Sequence, residues 1–123
     1  MEQSEFEAYV GSLESRETTV NPTVLRSIHA SIGIAGEAGE ILDQVKRVLV
    51  YGASFDRVHL IEEMGDLFHY LTMLMNIHAI TLDEVRNANV RKLAVRYPGN
   101  VFTPKRATTR NRSAERAAME DTT

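Results

Sequence analysis

The chain has 123 residues, a formal net charge of −3 and no cysteine, which corresponds to one acidic domain. Hydrophobic residues make up 43% and charged residues 25% of the sequence, as is typical of a soluble globular protein. The lack of cysteine excludes disulfides, thiolate metal sites and cysteine nucleophiles. The acidic balance argues against a nucleic-acid coat or a polybasic membrane binder, because both need a basic surface.

The first half of the chain predicts two helices and a polar connection. Residues 4–13 place several apolar side chains on one side of a short helix. Residues 14–22 are polar and end in Asn-Pro, which is typical of a loop. A second helix is expected from Thr23 to Tyr51, with Gly52 as its stop. Apolar positions spaced mostly three and four apart predict a buried stripe along it: Leu25, Ile28, Ile32, Ala35, Gly39, Leu42 and Leu49.

The second half predicts two more helices. The third should run from Asp56 to His78, since apolar residues again recur at helical spacing. The fourth opens at Thr81, where Thr81 and Glu84 fit the capping-box pattern. Its end is predicted at the Tyr-Pro-Gly segment 97–99.

Residues 103–123 are polar and poor in large apolar groups, which leaves open a short helix near 113–120 or a disordered tail. We therefore expect an all-α protein: a helical domain at residues 1–102, followed by a polar C-terminal tail at residues 103–123. Four helices with short connections favour an antiparallel four-helix bundle, whose apolar faces are suited to pairing with a second copy.

Two acidic pairs, Glu37 with Glu40 and Glu63 with Asp66, lie on consecutive predicted helices. Each pair is spaced i, i+3, so its carboxylates project from nearly the same face. An antiparallel return of the third helix would let the four carboxylates meet. Clustered carboxylates require counter-charge, and oxygen-only ligands suit Mg²⁺ or Mn²⁺. The pattern predicts a divalent metal site; the alternative is four solvated side chains on helix surfaces.

Polar and basic side chains form a complementary set. Asn89, Lys92 and Arg96 fall on one stripe of the fourth helix; the two cations can neutralise phosphate oxygens, and asparagine can hydrogen-bond a sugar or a base edge. Lys46 and Arg47, near the end of the second helix, fit the same interpretation. The alternatives are a solvated polar face and, for Lys46 and Arg47, a favourable interaction with the helix dipole.

The glycines and the histidines give further expectations. Gly33, Gly36, Gly39 and Gly65 each cost about 1 kcal/mol relative to alanine inside a helix, which predicts close backbone approach beside the acids. The four histidines show no shared metal-ligand spacing, so we expect them to be surface or packing residues.

Taken in order, the motifs resemble those of the MazG-like, all-α nucleoside triphosphate pyrophosphohydrolases. That family has an ExxE motif, a spacer, an ExxD motif and then a helix with asparagine and lysine. The similarity covers roughly residues 25–102, and residues 111–116 resemble the ending of short, single-domain members. The matching segments are Gly33-Ile-Ala-Gly-Glu-Ala-Gly-Glu40, Glu62-Glu-Met-Gly-Asp-Leu67, Asn89-Val-Arg-Lys-Leu93 and Arg96-Tyr-Pro-Gly99.

The resemblance implies Mg²⁺-dependent cleavage of the bond between the α and β phosphates of a ribo- or deoxynucleoside triphosphate, with Mn²⁺ as a substitute metal. The products would be a nucleoside monophosphate and pyrophosphate. The active unit would be a homo-oligomer, a dimer or a tetramer. The implied catalytic and metal-binding residues are Glu37, Glu40, Glu63 and Asp66. The implied nucleotide-binding residues are Lys46, Tyr70, Asn89, Lys92 and Arg96.

Two other functions are weighed against this one. The first is a catalytically silent helical module that binds nucleotides or a protein partner. The second is a di-iron carboxylate bundle, which uses Glu-x-x-His motifs that the acidic pairs do not supply. Because the N-terminus is acidic and no apolar run reaches the ~20 residues of a membrane span, we expect a cytoplasmic protein with neither nucleic-acid nor membrane partners.

Overall fold

The computed structural model describes residues 1–15 and 20–121, and within these ranges the regular elements are all helices. The predicted all-α class is therefore confirmed. Residues 16–19 of the predicted loop and residues 122–123 of the predicted tail lie outside the described part. The elements are α1 (Gln3–Leu13), α2 (Pro22–Tyr51), α3 (Arg57–Ile77), α4 (Leu82–Arg96), a 3₁₀ turn (Pro98–Asn100), α5 (Pro104–Thr108) and α6 (Arg112–Glu120).

The helix ends follow the sequence signals closely. Asn21 and Asp56 precede α2 and α3, and the side chain of each accepts a hydrogen bond from a first-turn backbone N–H. Gly52 ends α2 with a φ of 68°, a conformation that glycine adopts without steric cost. Thr81 and Glu84 form both halves of the predicted capping box of α4. Local chemistry thus accounts for where the long helices start and stop.

Helices α2 and α3 pack against each other as an antiparallel hairpin. Near the open end, Ser27 Oγ lies 2.8 Å from His78 Nε2. Further along, the ring of Tyr70 lies directly over Gly33. Residue numbers therefore rise along α2 as they fall along α3. This arrangement brings Glu37 of the first acidic pair together with both members of the second, Glu63 and Asp66.

Helices α4 and α6 form a second antiparallel contact. The Nε of Arg91 donates to the carbonyl oxygen of Ala118 at 2.9 Å, and Arg96 contacts Glu115. Of the two outcomes that the sequence left open for residues 113–120, the structure has the helix. It lies along α4 and is held there by polar contacts.

The apolar stripe predicted to be buried in α2 is exposed within the single chain, so that expectation is wrong at this level. Leu49 is 82% exposed, and Ile32 and Leu42 are also largely exposed. In the described part of the chain, Ala30 is the buried apolar residue. The physical reason is that α2 packs extensively against α3 alone, which leaves its other faces uncovered. None of the described helices combines the length and the apolar character that crossing a membrane requires.

Candidate active site

Three carboxylates converge in the groove between α2 and α3. Oxygen atoms of Glu37, Glu63 and Asp66 all lie within 4.8 Å of one another. Glu63 is 8% exposed, Glu37 is half-buried and Asp66 is exposed. The cluster therefore has one buried wall and one side that faces solvent.

Glu40, the fourth predicted ligand, is exposed on α2 and lies outside this group of three. It is still close enough for its negative charge to act on Glu37. The structure thus brings three of the four predicted carboxylates together and places the fourth beside them.

The cluster carries unbalanced negative charge. Partial burial raises the pKa of Glu37, and a hydrogen bond with Glu63 raises it further. The charges of Asp66, Glu63 and Glu40 add to the upward shift of the Glu37 pKa. Like charges held this close favour the protonated form unless a cation joins them. All-oxygen donors and a shortage of positive charge fit a hard divalent cation such as Mg²⁺ or Mn²⁺.

His59 is a site residue that the sequence analysis missed. Its Nε2 lies 2.6 Å from Oε1 of Glu63, one helical turn away on α3. His59, Glu62 and Glu63 also place ligand atoms within 4.8 Å of one another. The sequence does contain a signal for His59, which is its i, i+4 spacing from Glu63; the spacing of the histidines from one another contains none.

A small cavity continues the groove beyond His59. Its volume is about 200 Å³. Gln44 lines it and is buried, with its Nε2 lacking a hydrogen-bond partner in the described part of the chain. Such an orphaned amide is uncommon in a folded protein. The remaining lining residues are Arg47, Ala53, Ser54, Phe55, Asp56 and His59.

Tyr70 lies one turn beyond Asp66, over the backbone of α2. Its ring occupies the space where a Cβ on Gly33 would stand. It makes T-shaped contacts with the rings of His29 and His69, at centroid distances of 6.1 and 5.2 Å. The predicted close approach at a glycine is therefore confirmed at Gly33. Within the described chain, Gly36, Gly39 and Gly65 have open space above them instead, so the same expectation is wrong there for the single chain.

The predicted cations of α2 face a carboxylate of their own helix. The Nζ of Lys46 lies 3.9 Å from Asp43 and 5.8 Å from the centroid of the Tyr51 ring. Arg47 donates to Asp43 at 2.8 Å. Both cations are exposed, and both lie on the same helix as Glu37.

The predicted nucleotide-binding face of α4 lies apart from the acidic cluster. Asn89 is exposed and Lys92 is half-buried, whereas Arg96 is engaged by Glu115. Among residues 1–15 and 20–121, no hydrogen bond or ion pair joins any of these three side chains to the carboxylates of α2 and α3. The single chain thus carries the two predicted halves of a site on two separate helix pairs.

The family comparison covers most of the α2–α3 hairpin and all of α4. The model of the MazG nucleotide pyrophosphohydrolase domain matches residues 29–102, which is more than half of the chain. The matched segment contains both acidic pairs and the polar stripe of α4, and it ends before α6. No curated protein and no solved structure shows a significant match. From the acidic hairpin and this match, we conclude that the chain belongs to the MazG nucleotide pyrophosphohydrolase family.

Proposed function

We propose that the protein is a Mg²⁺-dependent pyrophosphohydrolase of ribo- or deoxynucleoside triphosphates. It cleaves the bond between the α and β phosphates and releases a nucleoside monophosphate and pyrophosphate. The observation that carries the proposal is the convergence of Glu37, Glu63 and Asp66 inside the segment that matches the family model.

The metal would be held by the three converging carboxylates, with Glu40 joining them from the next turn of α2. When bound, Mg²⁺ or its substitute Mn²⁺ supplies positive charge to the phosphate oxygens and lowers the pKa of water. The donor set supports this assignment, because Glu37 has a raised pKa that a neighbouring cation would relieve.

The chain itself must accept the proton of the attacking water. As the water oxygen bonds to phosphorus, its proton passes to a carboxylate and the anhydride P–O bond breaks. Glu37 and Glu40 are the two candidates for this general base.

The nucleotide would be bound by five side chains outside the acidic cluster. Tyr70 and Lys46 belong to the same hairpin as the carboxylates. Lys46 is exposed to solvent. Asn89, Lys92 and Arg96 lie on α4, which supplies donors for the sugar, the base or phosphate oxygens.

A second copy of the chain would complete the site. Within the described residues, no hydrogen bond or ion pair joins the α4 donors to the carboxylates, and large apolar side chains of α2 and α3 are exposed. Burying such faces between copies is the usual way to stabilise them. We therefore propose a homo-oligomer, a dimer or a tetramer. In it, helices from more than one copy form the four-helix bundle of the helical domain at residues 1–102, and residues 103–123 form an appended segment.

The deciding experiment measures pyrophosphate release with Mg²⁺ across a panel of ribo- and deoxynucleoside triphosphates. The native chain is compared with Glu63→Gln and with the control Glu7→Gln, which makes the same change at an exposed carboxylate of α1. We expect release by the native chain and by the control, and loss of release in Glu63→Gln with an unchanged helical circular-dichroism spectrum.

Equal turnover in Glu63→Gln would contradict the proposed site. If the native chain releases no pyrophosphate from any nucleotide but still binds them, the catalytically silent module becomes the better description.

A further inference from the structure

The most buried charged side chain of the described residues is Glu115 on α6, at 2% exposed. Both of its oxygens accept hydrogen bonds from arginine. Arg96 donates through Nε to Oε1 at 2.8 Å and through Nη2 to Oε2 at 3.1 Å. Arg110 donates through Nη2 to Oε2 at 2.6 Å. Two guanidinium groups are therefore held by one carboxylate, and the trio keeps a net positive charge.

This arrangement is more specific than attachment of α6 requires. Burying a charge costs free energy unless the charge is fully paired. Apolar contacts would therefore anchor a helix at a lower cost in free energy. A separate anchor is also present: Arg91 donates to the carbonyl oxygens of Ala118 and Met119 at 2.9 and 3.3 Å. The Glu115 contact thus has a consequence beyond docking, which is to fix the orientation of Arg96.

The guanidinium of Arg96 keeps N–H groups that Glu115 does not use. Its Nε and Nη2 donate to Glu115, and Tyr97 is a further neighbour, whose side chain is a hydrogen-bond partner of Arg96 and whose ring centroid lies 5.9 Å from Cζ. Because a guanidinium has five N–H donors, these contacts leave donors available. A guanidinium with a fixed plane and unused N–H groups suits a phosphate oxygen. Lys92 lies one turn before Arg96 on α4 and has no ion-pair partner within residues 1–15 and 20–121. The two cations share one stripe of the helix.

We propose that Glu115 is a positioning residue that holds Arg96 in the orientation in which it binds a phosphate group of the nucleotide. By this inference α6, which lies beyond the family match, is part of the functional unit. The inference rests on the proposed function, because it assumes a polyphosphate ligand. Free arginine side chains sample many rotamers, and fixing one in advance removes that entropic cost from binding.

The test compares Glu115→Gln with two controls. Glu115→Gln keeps the size of the side chain and removes the charge that aligns the guanidinium. Arg91→Ala loosens the same helix without touching Glu115. Arg116→Ala alters an exposed residue whose partner is Glu120, at 2.7 Å. For each full-length variant we would measure kcat and KM, the melting temperature, and calorimetric binding of an α,β-methylene nucleoside triphosphate with Mg²⁺.

We expect Glu115→Gln to raise KM and weaken analogue binding roughly tenfold, with kcat nearly unchanged. Arg91→Ala should lower the melting temperature and leave KM within about twofold, whereas Arg116→Ala should change neither. If Glu115→Gln does not fold, Glu115→Asp retains the charge with a shorter reach and should give an intermediate KM.

An unchanged KM and analogue affinity in Glu115→Gln would overturn the inference. So would an equal rise of KM in Arg91→Ala, because docking of α6 alone would then explain the effect. Failure of the proposed function looks different: the native chain would release no pyrophosphate. Analogue binding would then test the role of Glu115 by itself, and absence of analogue binding by the native chain would contradict both.

Discussion

The α2–α3 hairpin and the α4–α6 pair each bury a glutamate, with opposite electrostatic results. In the hairpin, Glu63 lies against Glu37 and Asp66, and the pKa of Glu37 is raised. In the second pair, Glu115 receives two arginines, which lower its pKa to about 2. In the second pair the chain itself supplies the counter-charge of the buried carboxylate, whereas the first cluster is short of positive charge. A carboxylate without a counter-charge and one that is already paired are therefore distinguishable by the sign of the pKa shift.

The largest expected difference between the two regions is their response to Mg²⁺. The hairpin carboxylates are the proposed metal ligands, so Mg²⁺ should stabilise the native chain by about 2.7 kcal/mol at a hundredfold excess over Kd. Melting curves with and without Mg²⁺ measure this shift. It should vanish in Glu63→Gln and persist in Glu115→Gln. If the Mg²⁺-dependent shift in melting temperature were lost in Glu115→Gln and kept in Glu63→Gln, the assignment of the metal site to the hairpin would be wrong.

The second difference concerns acid stability. Folding lowers the pKa of Glu115 from 4.5 to about 2, so the unfolded chain binds more protons between these values. The stabilisation from Glu115 is thus present above about pH 4.5 and is lost as the pH falls through about 2. Urea unfolding is measured from pH 7 downward. Across this window, the free energy of unfolding of the native chain should fall toward that of Glu115→Gln. A constant difference between the two chains would contradict the ion-pair account.

A smaller effect is expected from the partner of Glu63. Because His59 contacts the Glu63 carboxylate at 2.6 Å, it restricts the orientation of that group. His59→Ala should weaken Mg²⁺ binding by roughly tenfold, as is usual when a hydrogen-bond partner of a metal ligand is removed. Calorimetric titration with Mg²⁺ is the measurement. His69→Ala is the control, since the ring of His69 faces Tyr70 instead, and an equal loss there would argue against a specific role for His59.

The smallest effect distinguishes two glycines of α2. A Cβ at Gly33 would collide with the Tyr70 ring, and such overpacking costs about 1–3 kcal/mol, partly offset by the better helix propensity of alanine. Gly36 has nothing within 4 Å, so Gly36→Ala should stabilise the chain by up to about 1 kcal/mol. Chemical denaturation of the two variants should therefore give opposite signs; destabilisation by Gly36→Ala would indicate that something covers this position in the assembled protein.

Sequence could predict the features that depend on local chemistry. Asn21, Gly52 and the Thr81 capping box mark the helix ends through contacts with the adjacent turn. The i, i+3 spacing of the acidic pairs predicted the carboxylate cluster, because a short connection leaves an antiparallel return as the simple solution.

The remaining features depend on contacts between distant segments. Periodicity shows that Leu42 and Leu49 share an apolar face, but it does not show what covers that face, and within one chain they are exposed. The pairing of Glu115 with Arg96 joins residues nineteen positions apart, and nothing in the polar composition of the tail selects that partner. The sequence of α4 therefore does not distinguish an arginine that faces a ligand from one that pairs with a carboxylate.

The Arg96–Glu115 contact also bears on where this protein can be shortened. The family match ends at residue 102, so a truncation at that boundary would remove only residues that lie outside the match. It would leave Arg91 and Arg96 without the acceptors that α6 gives them and would expose the face of α4 against which α6 packs. We therefore expect the minimal stable unit of this protein to be longer than its recognisable domain, and a fragment cut at the boundary to be prone to aggregation.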